Sequence, residues 1–126
     1  MGSIQKKVDS QTDLTVYTVV GKITAKQVKV AIQKFYDGDI TSKVLWDLSK
    51  SDVGDLTESE IESVALTPRK FAEARSGGKT AIVAPRVLSF GLARMYELQT
   101  NIQDFPFKTQ TFHTTEEAYQ WLLETE

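Results

Sequence analysis

Cysteine is absent from this chain of 126 residues, and histidine occurs once. The lack of cysteine excludes disulfide bonds, thiolate zinc sites and cysteine nucleophiles. A single histidine excludes sites that need several imidazole ligands, and mechanisms that pass a proton between two histidines. We therefore expect no metal site and no cofactor.

Long apolar runs and a strong charge of either sign are also missing. No segment is long and apolar enough to span a bilayer, and no signal-peptide pattern opens the chain. The formal net charge is -2, and a weakly acidic chain has little non-specific attraction to nucleic acid or anionic lipid. We expect a cytoplasmic protein that has no nucleic-acid partner and does not insert into membranes.

The chain does contain alternating strand and helix patterns. Short runs rich in Val, Ile, Thr and Tyr predict strands, and apolar residues at helical spacing predict helices. The predicted strands cover residues 4–8, 14–20, 44–48, 79–84 and 105–112. The predicted helices begin near Thr24, Thr57, Pro85 and Thr115. Because Pro68 would remove a hydrogen bond inside a helix, the second helix should stop and restart there.

The order of these elements predicts an α/β fold. Strands that alternate with helices indicate a mostly parallel sheet with right-handed crossovers. The short polar segment at residues 11–13 predicts that the first two strands pair as an antiparallel hairpin. No linker or internal repeat interrupts the chain. We therefore predict a single domain over residues 1–126, with a mixed sheet of about five strands flanked by about four helices.

Helical spacing also predicts which side chains are buried. Phe71 and Ala74 should continue the buried face of the second helix after its restart. On the third helix the expected buried stripe is Leu88, Leu92, Met95, Tyr96 and Ile102. Phe90 points away from that stripe. Gly91 in the same helix costs about 1 kcal/mol relative to alanine, and close packing on the sheet is the usual reason for such a glycine.

Thr57 is either a helix cap or a residue that is chemically modified. Its hydroxyl can accept the amide of Glu60 while the Glu60 side chain reaches back, which is a capping box. Two other predicted helices start in the same way, at Thr24 and Thr114, and this repetition favours the cap. A phosphate at Thr57 would also meet repulsion from the four acidic side chains between residues 52 and 60.

Polar side chains cluster where two neighbouring parallel strands are predicted to end. In open parallel sheets, ligands bind outside the carboxyl ends of the strands. The candidate partner-binding residues there are Asp47, Ser49, Ser51, Asp55, Thr57, Arg86 and Phe90. We expect Asp47 to accept backbone amides of its own loop. No catalytic residue is assigned, because no serine has an identifiable base and His113 has no nucleophile beside it.

These segments resemble the SpoIIAA-like fold shared by anti-sigma-factor antagonists and STAS domains. In those domains an Asp-Leu-Ser stretch ends a central strand, as Asp47-Leu48-Ser49 does here, and Asp-Ser-Ser-Gly then starts a helix. Asp55 matches the Asp of the Asp-Ser-Ser-Gly segment. Leu56, however, occupies the position of the serine that is phosphorylated in those domains. An uncharacterised bacterial branch of SpoIIAA-like proteins is similar in the segments VLWDL, AIVAP, FGLARMYE and EEAYQWL.

The resemblance implies a non-enzymatic regulatory or protein-interaction module that binds a protein partner at the carboxyl ends of the central strands. This chain lacks the serine that is usually phosphorylated in such modules. The alternative is a carrier of a small apolar or lipid-like ligand, because lipid-carrying domains are likened to the same fold class. Four apolar residues outside the predicted core stripes are candidates for a ligand pocket or a homodimer face: Val30, Leu66, Leu98 and Leu123.

Overall fold

The computed structural model describes residues 2–124 and confirms the α/β prediction. Residues 1, 125 and 126 of the predicted domain lie outside that range. The strands are β1 Ser3–Asp9, β2 Leu14–Lys22, β3 Lys43–Asp52, β4 Lys79–Val83 and β5 Lys108–Phe112. The helices are α1 Ala25–Asp37, α2 Glu58–Leu66, α3 Val87–Ile102 and α4 Thr115–Leu122. Among residues 2–124 no helix has both the length and the hydropathy of a membrane span.

The five strands form one sheet in the order β1-β2-β3-β4-β5. β1 and β2 form the predicted antiparallel hairpin, in which Ser3 lies opposite Val20 and Asp9 lies opposite Leu14. The remaining neighbours pair in parallel. The carboxyl ends of β2, β3, β4 and β5 therefore meet at one edge of the sheet, which is the edge where the candidate residues were predicted.

Side chains alternate between two covered faces of the sheet. On one face, Ala118 and Leu122 of α4 pack on inward-facing residues of β2, β3 and β4: Leu14, Leu45, Ala81 and Val83. The intervening residues point to the opposite face, which α1, α2 and α3 cover: Tyr17, Val19, Val44 and Ile82. We call this second side the three-helix face. Each large apolar side chain buried in this way stabilises the fold by about 1.5–3 kcal/mol.

Arg75 is buried at the amino end of the three-helix face, which the sequence did not predict. Its guanidinium donates to four groups at the starts of β3 and β4: the carbonyls of Thr41, Ser42 and Lys79 and the hydroxyl of Thr80. It also lies over the Phe107 ring, 4.6 Å from the centroid, and over the Phe35 ring at 5.6 Å. Arg75 thus connects α1, β3, β4 and the segment before β5.

The predicted continuation of the second helix is wrong in its buried residues. After Pro68 the chain forms two 3-10 turns, Thr67–Lys70 and Ala72–Arg75. A 3-10 helix has three residues per turn, so it turns different side chains inward than an α-helix would. Phe71 and Ala74 are exposed, whereas Ala72 and Arg75 are buried.

The predicted stripe on α3 is wrong at both ends. Leu88 is 62% exposed and Ile102 is 73% exposed. The side chains that are buried instead are Ser89, Ala93, Glu97 and Thr100. This face is partly polar because it packs on β5, where Glu97 Oε1 accepts the edge amide of Thr111 at 2.7 Å. Gly91 is exposed with open space around it, so the expected close packing there is also wrong.

A matched pair of leucine variants tests these burial assignments. Leu122→Ala should lower the free energy of unfolding by about 3 kcal/mol, because the fully buried side chain leaves a cavity under α4. Leu88→Ala should change the free energy of unfolding by no more than about 0.5 kcal/mol, because its side chain is largely in solvent. Urea denaturation of both variants measures the difference. An equally large loss at Leu88 would contradict its exposed position.

Candidate functional site

β3 extends further than predicted and takes in two of the candidate residues. The strand ends at Asp52, so Ser49 and Ser51 lie in it and not in a loop. Thr18 of β2 lies opposite Asp47, but Val20 lies opposite Lys50, so β3 has one extra residue between these pairs. Such a bulge needs support for its displaced amide. Asp47 Oδ1 accepts the Ser49 amide at 2.9 Å, which confirms the predicted local role of Asp47.

The two serines of this segment differ in how far they are buried. The Ser51 side chain is buried, and its hydroxyl donates to the carbonyl of Leu48 at 2.8 Å. Ser49 is half-buried within the bulge. The end of β3 therefore positions the residues that follow it. The buried Ser51 side chain is not accessible to a partner.

The loop at residues 53–57 has an apolar inner side and an acidic outer side. Val53 is buried and Leu56 is half-buried against the three-helix face. Gly54 and Asp55 are exposed, and the Asp55 carboxylate forms an ion pair with Lys22 at the end of β2. The hydrogen bond and charge of Asp55 raise the pKa of Lys22. Because both side chains are exposed, this ion pair contributes little stability.

Thr57 is the N-cap of α2, as predicted. Its hydroxyl accepts the Glu60 amide at 3.2 Å, and Glu60 Oε1 accepts the Thr57 amide at 2.9 Å. The same hydroxyl donates to Glu60 Oε1 at 3.1 Å. Capping boxes of this kind occur at Thr24, and Thr114 accepts the Glu117 amide in the same way. A phosphate on Thr57 would break these bonds and face a carboxylate, so the structure favours the cap.

The first turn of α3 lies beside this loop. Arg86 is the exposed N-cap residue, and its carbonyl accepts the Phe90 amide at 2.8 Å. Val87 is 93% exposed and Leu88 projects over the loop, where a Cβ added to Gly54 would lie 3.1 Å from Leu88 Cδ2. We call residues 53–57 and 86–88 together the strand-end surface. The exposure of Val87 and Leu88 was not predicted, because helical spacing cannot show that a helix begins beyond the end of its sheet.

Phe90 does not point outward as predicted. It is half-buried against Ile82, Ala84 and Ala93, and its ring stacks on His113 with 3.9 Å between centroids and 8° between planes. Phe90 and His113 therefore join α3 to the segment that precedes α4. This placement removes Phe90 from the outer face of the strand-end surface.

An apolar cavity of about 90 Å³ lies under α1, α2 and α3 on the three-helix face. Its lining includes Ile32, Trp46, Val53, Leu56, Leu92 and Tyr96. None of the four apolar residues proposed for a pocket lines it. Val30, Leu98 and Leu123 are exposed and so stay available for the predicted homodimer face. The loop at residues 53–57 borders both the cavity and the strand-end surface, since Val53 and Leu56 point inward.

No family model and no curated protein matches the chain. Solved structures match it over nearly its whole length, among them the following three. An uncharacterised DUF3478-family protein with a SpoIIAA-like fold, from Shewanella loihica PV-4, is 17% identical with a TM-score of 0.56, covering 96% of this chain and 93% of that one. SpoIIAA, an anti-sigma factor antagonist in its unphosphorylated form, is 14% identical with a TM-score of 0.55, covering 98% and 100%.

The third is an anti-sigma factor antagonist from Mycobacterium paratuberculosis. It is 21% identical with a TM-score of 0.56, and the match covers 97% of this chain and 96% of that one. These likenesses confirm the resemblance to the SpoIIAA-like fold. At such low identities they establish the fold alone.

The capping role of Thr57 is tested by three substitutions. Thr57→Ala should lower the free energy of unfolding by about 1 kcal/mol, because the Glu60 amide loses the hydroxyl that accepts its hydrogen bond. Thr57→Ser should be nearly neutral, since it keeps the hydroxyl. Glu62→Ala serves as the control, because Glu62 is exposed on α2 and lies outside the capping box. Urea melts in which Thr57→Ala matches the wild type would refute the capping role.

Proposed function

We propose that this chain is a non-enzymatic regulatory module of the SpoIIAA/STAS type that binds a protein partner at the strand-end surface. The observation that carries this proposal is the exposure of Val87 and Leu88 beside the acidic loop. Adjacent apolar side chains rimmed by charge are typical of interface anchors. Because Leu56 takes the place of the phosphoacceptor serine, binding would not be controlled by phosphorylation at that position.

The charges around Val87 and Leu88 suggest the chemistry of the partner. Asp52, Asp55 and Glu58 are exposed on one side, and Arg86 is exposed on the other. A complementary partner presents an apolar groove flanked mainly by basic residues. Two of the similar structures are anti-sigma factor antagonists, and we propose an anti-sigma factor as the class of partner.

The same surroundings support a binding role over a catalytic one. Thr57 is engaged in its capping box, Asp47 in the bulge of β3, and His113 in a stack with Phe90. A nucleophile needs a base within hydrogen-bond reach, and none of these side chains has that arrangement. The surface offers apolar and charged contacts, which suit recognition.

Truncation at the strand-end surface should weaken the proposed complex. Leu88→Ala and Arg86→Ala should each raise the Kd for a purified anti-sigma factor at least tenfold, as truncated anchors often cost about 2 kcal/mol. Ile102→Ala is the matched control, because Ile102 is an equally exposed apolar residue at the opposite end of α3. Biolayer interferometry measures all three dissociation constants.

The proposed surface would be wrong if Leu88→Ala and Arg86→Ala bound like the wild type while Ile102→Ala did not. Circular dichroism of each variant would exclude unfolding as the cause. Absence of binding to any anti-sigma factor of the same cell would reject the proposed class of partner.

A second candidate function is the carriage of a small apolar ligand, and the cavity of about 90 Å³ favours it. Fourteen side chains line the cavity, and nearly all of the lining surface is apolar. Apolar cavities of about 150 Å³ stay dry and bind benzene or xenon, so a cavity of this size suits a smaller or more slender group.

Xenon tests whether this cavity accepts an apolar guest. Methyl NMR spectra under xenon pressure should shift for Val53, Ile61 and Leu92, which line the cavity. Leu122 is the matched control, because it is fully buried on the opposite face under α4. Unchanged Val53 and Leu92 signals, or shifts as large at Leu122, would reject the cavity as a binding site.

A further inference from the structure

A second, smaller cavity adjoins the apolar one. Its volume is about 30 Å³, and it lies beside Arg75 at the amino end of the three-helix face. The two cavities share the side chains of Ile32, Trp46 and Tyr96, so they are neighbours along the direction of the strands. We call the smaller cavity the polar niche, because Arg75 and three tyrosines contribute to its lining.

Arg75 enters the polar niche as a cation without a carboxylate in contact. Its side chain is 4% exposed, and the acceptors of its hydrogen bonds are three backbone carbonyls, the Thr80 hydroxyl and the Tyr36 hydroxyl. The ion pairs of Lys22 with Asp55 and of Arg94 with Glu97 do not include Arg75. Asp13 acts on the guanidinium through its charge without a hydrogen bond to it, so the niche keeps a positive field.

The Tyr17 hydroxyl is the second unusual group. Tyr17 is 3% exposed, and its hydroxyl has no hydrogen-bond partner among residues 2–124. An unsatisfied buried group of this kind costs about 1–3 kcal/mol. The ring cannot easily turn away, because it stacks on Trp46 with 4.3 Å between centroids. Because the Tyr17 hydroxyl is a hydrogen-bond donor fixed in this position, a ligand that places an acceptor atom in the cavity would satisfy it.

The tyrosines of the niche remain donors at neutral pH. Burial raises the pKa of Tyr17 to about 12, and it also raises the pKa of Tyr36 and of Tyr96. All three hydroxyls therefore keep their protons, and Arg75 has no acceptor atoms. The niche presents positive charge and O–H groups, whereas the adjoining cavity presents hydrocarbon.

We infer that the paired cavities bind a monocarboxylate with a short apolar chain. The carboxylate would occupy the polar niche, accepting from the Tyr17 hydroxyl and facing the Arg75 guanidinium, and the chain would extend past Trp46 into the apolar cavity. Charge-assisted hydrogen bonds are about twice as strong as neutral ones, which makes an acid preferable to an alcohol. This inference rests on the second candidate function and specifies its ligand class.

Calorimetric titration with three molecules of equal chain length tests the head group. Sodium hexanoate should bind at least tenfold more tightly than 1-hexanol, and hexylamine should bind most weakly because the niche repels a cation. Tyr17→Phe should weaken hexanoate binding about tenfold and weaken 1-hexanol binding less, because a hydrogen bond to a charged acceptor is the stronger one. Its thermal midpoint should stay equal to that of the wild type or rise, since an unsatisfied hydroxyl is lost. Tyr119→Phe, at an exposed tyrosine of α4, is the matched control.

The outcomes distinguish failure of the carboxylate assignment from failure of the second candidate function. Equal binding of hexanoate and 1-hexanol, or unchanged hexanoate binding by Tyr17→Phe, would overturn the carboxylate assignment and keep an apolar ligand. Failure of hexanoate, 1-hexanol and xenon to bind would overturn the carboxylate assignment and the second candidate function together.

Discussion

The buried guanidinium of Arg75 is the contact on which the three-helix face depends. It holds the starts of β3 and β4 together through backbone carbonyls, and it lies between the rings of Phe35 and Phe107. Removing it would take a donor from the carbonyl of buried Thr41 and from the hydroxyl of buried Thr80, and each group left unsatisfied would cost about 1–3 kcal/mol. The Arg75 side chain reaches this position because the 3-10 turns after Pro68 direct it inward.

The same arrangement places the two candidate sites at opposite ends of one structural layer. The polar niche lies at the amino end of the strands, and the strand-end surface lies at the carboxyl end. Between them runs the apolar cavity, which reaches Val53 and Leu56 on the inner side of the loop that carries Asp55. A ligand in the cavity and a partner on the surface would therefore contact the same five-residue loop from its two sides.

The sequence predicted the elements that depend on local patterns. The three threonine caps follow from residue spacing alone, and the parallel sheet follows from the order of the elements. The exposure of Leu88, the stacking of Phe90 and the burial of Arg75 depend on where each helix ends relative to the sheet. Hydrophobic periodicity contains no information about that offset, and it assigns a buried arginine to the surface. A polar face on α3 was also hidden, because Glu97 is buried only through its bond to the β5 edge.

A crystal structure of the protein soaked in sodium hexanoate would test the account of the three-helix face most directly. We predict carboxylate density in the polar niche, with one oxygen about 3 Å from the Tyr17 hydroxyl, the other toward Arg75, and the chain alongside Trp46. Ordered water bonded to Tyr17, with no hexanoate in either cavity at a saturating concentration, would contradict it. Arg75 would then have a structural role, and backbone carbonyls and water would accept its hydrogen bonds.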